Sequence, residues 1–166
     1  KITNRTAEIC QDLSLPYLQL LRPAWVAGEG DDWTEIATEE EAARYIHKWH
    51  TVFLGTGRQT LEKFKNLEGS RVLCRLIDPP TAPFPFEGGE FLIGQPPFSV
   101  ERELELFRAL IVDWVVVKNA GGEASKTKLT AAREMGLPVL MIRRPEMPDA
   151  PRVETVAEAM TWVNNL

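Results

Sequence analysis

Two short stretches carry the residue types from which an anion site is built. The first is Thr51–Leu61, where an apolar run ends at Gly55, Thr56 and Gly57 and a helical pattern begins at once with Arg58. A strand, a glycine turn and a helix start in that order present unpaired N–H groups and a partial positive charge. Glycine lets the backbone approach a ligand closely, and Arg58 adds a planar, permanently charged fork suited to carboxylate or phosphate. A cation in the first helical turn opposes the dipole unless an anion joins it, so Thr56, Gly57 and Arg58 read as an anion clamp. The second stretch is Val115–Gly122, in which Lys118 ends the most apolar run of the chain and Asn119, Ala120, Gly121 and Gly122 follow. A Gly-Gly pair carries an ordering cost that a plain loop need not incur. Here it reads as a backbone nest with Lys118 as ammonium donor. The expectation is that the fold places these two turns side by side.

Neither stretch matches a nucleotide fingerprint: no G-x-G-x-x-G follows a strand, and no G-x-x-x-x-G-K-[ST] is present. His47 and His50 have no cysteine or carboxylate at metal-ligand spacing and read as surface residues, so no metal site is expected. No Ser-His-Asp set can be argued, because the histidines follow a helical pattern rather than a strand. The chain has 166 residues, 44% of them hydrophobic, enough for one domain with a real core. A net charge of −5 with interspersed signs argues against nucleic-acid binding. Cys10 and Cys74 share no motif and read as reduced thiols of a cytoplasmic protein. No apolar run reaches membrane-span length, and no signal peptide is visible.

The elements that must position the turns follow from periodicity. Strands are expected at Tyr17–Leu21, Trp33–Ile36, Thr51–Leu54, Arg71–Ile77, Glu90–Ile93, Asp113–Val117 and Leu137–Ile142. Helices are expected over Thr3–Leu13, Thr38–Trp49, Gln59–Leu67, Ser99–Ile111 with Ser99 as N-cap, Lys126–Met135 ended by Gly136, and Thr155–Val163. Continuous apolar strands alternating with helices indicate a doubly wound parallel α/β sheet, covered on both faces. Ligands bind such sheets at the carboxyl ends of the strands. Glycine and charge gather there, at Thr56–Arg58, Asp78, Gly94–Gln95, Lys118–Asn119 and Arg143–Arg144. The chain starts at Lys1 in what reads as mid-helix, which suggests a missing N-terminal part.

Phe53–Gln59, Arg75–Pro80, Gly94–Ser99, Val117–Gly122 with Lys128 and Leu129, and Leu137–Pro145 follow one another in this order. In that order they resemble the precorrin-6A reductase family of cobalamin (vitamin B12) biosynthesis. Leu21–Trp25 resembles the end of that family's first domain. The resemblance covers nearly the whole chain, with two departures: the family usually has Thr where Gly55 stands and Ser where Ala120 stands.

The resemblance implies two Rossmann-like α/β domains with the active site in the cleft between them. Residues 1–50 would be the remnant of the N-terminal domain plus a connector, and residues 51–166 the C-terminal domain. It implies an NADPH-dependent oxidoreductase that transfers hydride to the tetrapyrrole and delivers a proton beside it. On that basis Lys118 and Lys128 are the catalytic candidates, and Lys128 is raised by the resemblance alone. Thr56, Gly57, Arg58, Asn119, Gly121 and Gly122 are the cofactor-binding candidates, and Arg75, Gln95, Ser99 and Arg143 the substrate-binding ones. A lysine serves as proton donor only if its pKa is depressed. The expected partner is a small-molecule tetrapyrrole, with no nucleic acid or membrane, and the protein is expected to be a cytoplasmic monomer. The competing reading is a non-catalytic α/β module that binds an anionic small molecule.

Overall fold

Apolar runs with both faces buried form the centre of the computed structural model, which describes residues 2–166; Lys1 lies outside the described residues. In chain order the elements are α1 (Ile2–Asp12), β1 (Gln19–Leu20), β2 (Trp33–Ile36), β3 (Thr51–Gly55), β4 (Arg71–Leu76), β5 (Gly89–Ile93), α2 (Val100–Leu110), β6 (Trp114–Lys118), α3 (Thr127–Met135), β7 (Val139–Ile142), β8 (Arg152–Val153) and α4 (Val156–Asn164). The strands β2 to β7 form one six-stranded sheet in the order β2-β7-β6-β3-β4-β5, with every pairing parallel. The expected Rossmann-like, doubly wound architecture is therefore present. From β3 the chain winds outward to β4 and β5, then returns to the other side of β3 as β6 and continues to β7. The switch in winding direction falls between β3 and β6, where Gly55 lies opposite Val117.

Alternation along each strand divides the core into two layers. Val52, Leu54, Val72, Cys74, Val116, Leu140 and Ile142 meet Ile36, Ala42, Leu61, Phe64 and Leu67 on one face. Phe53, Leu73, Val115, Val117, Val139 and Met141 meet Leu104, Phe107, Leu129, Ala131, Ala132 and Trp25 on the other. The second face is covered by α2 and α3. Ser99 caps α2 by accepting from the Arg102 amide, and Gly136, in the left-handed conformation at φ 65°, ends α3.

The first face is covered by tighter turns than expected. The helices anticipated over Thr38–Trp49 and Gln59–Leu67 are 3-10 segments, Glu39–Arg44 and Arg58–Phe64. In a 3-10 helix residues three apart eclipse one another. That spacing aligns Leu61 and Phe64 inward, and both are buried, as is Leu67 just beyond the segment. Trp49, the last residue of the helix expected over Thr38–Trp49, instead takes a positive φ of 75° and is 88% exposed.

Tertiary contacts divide the chain into two compact units. The larger, Trp25–Arg143, holds the six-stranded sheet. The smaller joins the residues up to Ala24 with Arg144–Leu166. In it β1 pairs in parallel with β8, a strand that the polar, Pro-rich connection before Thr155 had concealed. Thr155 and Glu158 form a reciprocal capping box at the start of α4.

Candidate functional site

The carboxyl ends of β3 and β4 open into a groove. One pocket, of about 270 Å³, is lined by Gly55, Gly57, Arg75, Phe98, Ser125 and Lys128 among others. A second, of about 300 Å³, shares Gly57, Arg75, Leu76 and Ile77 with it and adds Arg58 and Asp78. Gly57 takes φ 74°, and a Cβ built on it would have no atom within 4 Å, so its open side faces solvent. Arg58 is exposed, and among the described residues no carboxylate pairs with its guanidinium. A cation at the groove edge beside a left-handed glycine suits an anion. A larger cavity, about 640 Å³, lies within the smaller unit against Tyr17 and Trp162. Its charged lining residues are Glu8 and Asp149, the wrong sign for an anionic ligand.

The two candidate lysines lie on opposite faces of the sheet. Lys118 lies at the end of β6 in phase with Val116, on the face covered by the 3-10 segments. Its ammonium is 3.1 Å from the Thr60 hydroxyl and 3.4 Å from a Glu39 carboxylate oxygen. Glu39 also accepts from Lys63 at 3.3 Å. Burial pushes the Glu39 carboxyl up, but hydrogen bonds from its own backbone amide, Lys63 and Thr60, with the Lys118 charge, outweigh it and hold it below the ordinary value. Glu39, the first of three consecutive acids after Thr38, is thus the buried hub of a charge cluster.

Lys128, on the first turn of α3, turns into the groove. Its stem passes over Gly55, where a Cβ would come 3.2 Å from Lys128 Cδ and 3.1 Å from a Val117 methyl. Its ammonium donates to the Ser125 carbonyl and stands 5.7 Å from the centre of the Trp25 ring. Burial holds this ammonium below the ordinary lysine pKa, the Arg75 charge adds to that, and Glu103 opposes it.

Arg75 is the best-held cation of the site. Facing α2 from β4, it makes a two-pronged pair with Glu103 at 2.8 and 2.7 Å. Its guanidinium stacks 3.8 Å from the centre of the Phe98 ring and 4.9 Å from that of Phe53. Glu103 and Phe98 were absent from the sequence-based candidates. The available signal was a charge inside an apolar strand, which demands a buried partner, and an acid on the inner face of α2 four residues before Phe107.

Other candidates have structural partners. The Asn119 side chain bridges the Trp25 backbone, accepting from its amide at 2.8 Å and donating to its carbonyl at 2.9 Å. The Trp25 indole donates to the Gly122 carbonyl at 2.9 Å, so the turn after β6 clasps Trp25 into the core. Gly121 and Gly122 take φ of 68° and 83° and steer the chain from that clasp into α3. Thr56 stands half-buried between the glycines, and Gln95 is exposed with its amide 3.3 Å from the Ile77 carbonyl. The Ser99 hydroxyl is engaged as the α2 cap. Arg143 pairs with Glu35 at 2.8 Å at the end of β7, three strand spacings or about 14 Å from β4. The structure therefore brings Gly57, Arg58, Arg75 and Lys128 to one groove and keeps Lys118, Ser99 and Arg143 away from it. Among the described residues no group of His, Cys, Asp and Glu is arranged to hold a metal ion.

A family model described as Precorrin-6x reductase CbiJ/CobK matches residues 1–164. A precorrin-6A reductase of Rhodococcus erythropolis is 38% identical over 168 residues, covering 100% of this chain and 67% of that protein. One of Rhodobacter capsulatus is 35% identical, covering 93% of this chain and 62% of that protein. A solved structure of CobK precorrin-6A reductase superposes with a TM-score of 0.94 at 33% identity, over 99% of this chain and 68% of that one. The chain thus spans between 62% and 68% of the length of these relatives.

Proposed function

This chain belongs to the precorrin-6x reductase CbiJ/CobK family, and from that premise we propose that it takes part in reducing the tetrapyrrole precorrin-6A to its dihydro product. The groove over β3 and β4 is the reaction site in this reading, and NADPH is the coenzyme. A reduced nicotinamide, when bound, supplies the hydride. The residues of this chain bind anionic groups, exclude water and deliver the accompanying proton. The open left-handed turn at Gly57 and the solvent-facing Arg58 fit a coenzyme phosphate or a macrocycle carboxylate. Gln95 adds an exposed amide at the same end of the sheet.

The observation that carries the reading is Lys128. It is the lysine that lines the groove, and burial holds its ammonium below the ordinary value, which makes it the better acid. Lys118 instead serves the scaffold through Glu39 and Thr60. A net charge of −5 is no obstacle, since Arg58 and Lys128 concentrate positive charge at one strand edge.

The test uses the protein at its natural length. Arg58→Ala weakens NADPH binding about tenfold in a fluorescence titration, the loss expected when a charge-assisted contact to phosphate is removed. Lys128→Met loses NADPH-dependent reduction of precorrin-6A while keeping its coenzyme affinity. Wild-type affinity in the first variant together with wild-type turnover in the second would overturn the assignment of this groove.

A further inference from the structure

Glu103 is a charged group held inside the fold, 1% exposed as a residue, with its side chain fully buried. Its position in the first turn of α2 would favour an acid on the outside of the helix as well, yet it points inward. A buried ion pair is a poor source of stability, because apolar side chains of similar volume usually serve as well or better. What an apolar pair could not provide is a fixed charge at the groove wall.

The surroundings supply that fixity. Glu103 takes both terminal nitrogens of Arg75, while Phe98 and Phe53 lie against the guanidinium. Arg75 is thus held on both terminal nitrogens and against two rings, and it lines both pockets of the groove. Lys128 lines the first of them and is itself confined by Gly55, Val117, the Trp25 ring and the Ser125 carbonyl. We propose that Glu103 and Arg75, of which Arg75 lines the same pocket as Lys128, are a positioning pair that fixes the charge surroundings of the Lys128 ammonium where the proton leaves for the macrocycle. This rests on the reading of Lys128 as proton donor.

The charged groups acting on Lys128 are Arg75 from β4 and Glu103 from α2, with opposite signs. From its own turn, Lys126 is paired with Glu123 at 3.6 Å. β3 and β6 present Gly55 and Val117, which carry no charge. Loss of the Glu103 charge leaves Arg75 unopposed and makes the Lys128 ammonium give up its proton at lower pH. Loss of the Arg75 charge does the reverse.

Both shifts can be read without turnover. Lysines of the natural-length protein are converted to 13C-dimethyl form and titrated by NMR, with the Lys128 signal identified by its absence in Lys128→Met. Glu103→Gln moves the Lys128 titration down by about one pH unit and Arg75→Gln moves it up. Titrations unchanged in folded single variants overturn the proposal. Should the single variants fail to fold, Arg75→Met with Glu103→Leu leaves no unpaired buried charge. In that variant kcat falls about tenfold with the KM for NADPH unchanged, and a wild-type kcat overturns the proposal. The underlying reading fails separately: a fully active Lys128→Met enzyme overturns Lys128 as proton donor and with it the catalytic use of the pair. An inactive Lys128→Met with undisplaced titrations overturns the pair alone.

Discussion

Lys118 and Lys128 show how one residue type acquires two roles from the sheet. Lys118 ends β6 just before the Gly121–Gly122 turn and Lys128 follows that turn on α3, and in the sequence Lys118 is the stronger candidate. The period of two along β6 decides otherwise, since it turns Lys118 with Val116 toward the 3-10 face and the buried Glu39. That outcome depended on Glu39, whose burial cannot be read from a run of three acids before a helix. Lys118→Met removes one of the cations that compensate Glu39 and should cost about 1 kcal/mol in urea unfolding, discounted because the lysine is half-exposed. Binding of NADPH should stay at the wild-type level. A variant with wild-type stability and weakened binding would return Lys118 to the ligand site. Cys74 is plain by comparison: burial pushes its thiol up to about 11, and it behaves as core.

At the scale of elements, the strands were legible because β3 and β7 are continuous apolar runs, β6 is one up to its terminal Lys118, and β4 is one broken only by Arg75, as a parallel sheet buried on both faces requires. The 3-10 segments were less legible. Leu61 and Phe64 lie three apart, the spacing of the eclipsed ridge of a 3-10 helix, which an apolar pattern running on to Leu67 does not distinguish from the inner stripe of an α-helix. Helix caps were readable from residue type alone, as Gly136 and Ser99 show. Ser99 also illustrates a competition between roles, since it lies within a family-like motif and its hydroxyl is spent on the Arg102 amide. Ser99→Ala should therefore lower stability by about 1 kcal/mol, and Ser99→Asp should restore it as an equally good cap. The melting temperature and NADPH affinity of both variants check this. A loss of affinity that Asp fails to rescue, at unchanged stability, would mean that the hydroxyl contacts a ligand.

At the scale of the whole molecule, pairings between distant residues escape the sequence. Asn119 and Trp25 are 94 residues apart, and nothing in either stretch announces that one will hold the other. The Asp31–Arg133 pair is of the same kind. It fastens the acidic loop before β2 onto α3 through two contacts of 2.8 and 2.7 Å. The groove was legible in part, because glycine and charge at strand ends are a local signal. Its inner wall was not, because Glu103 meets Arg75 only once α2 packs on β4.

These long-range acid contacts set how the molecule responds to pH. Burial pushes Asp31 up, but hydrogen bonds from Arg133 and the Gly28 amide, with the charges of Arg133 and Lys126, outweigh it and hold its carboxyl below the ordinary value. Glu39 is depressed in the same sense. A depressed carboxyl binds its proton later in the folded protein than in the unfolded chain. The stability it contributes is fully present above the unfolded-state pKa and is lost as pH falls through the folded-state one. Both groups therefore make the fold acid-sensitive below the ordinary carboxylate range and leave it unaffected near neutrality. Urea midpoints measured from neutral pH down to about pH 3 should fall steeply for the wild type. The double variant Asp31→Asn, Glu39→Gln should start lower, because it has given up both charge-assisted contacts, and should lose less over the same interval. Parallel curves would show that neither carboxylate carries the acid response, and that the clasp on α3 and the hub beneath the 3-10 segments hold the fold by packing alone.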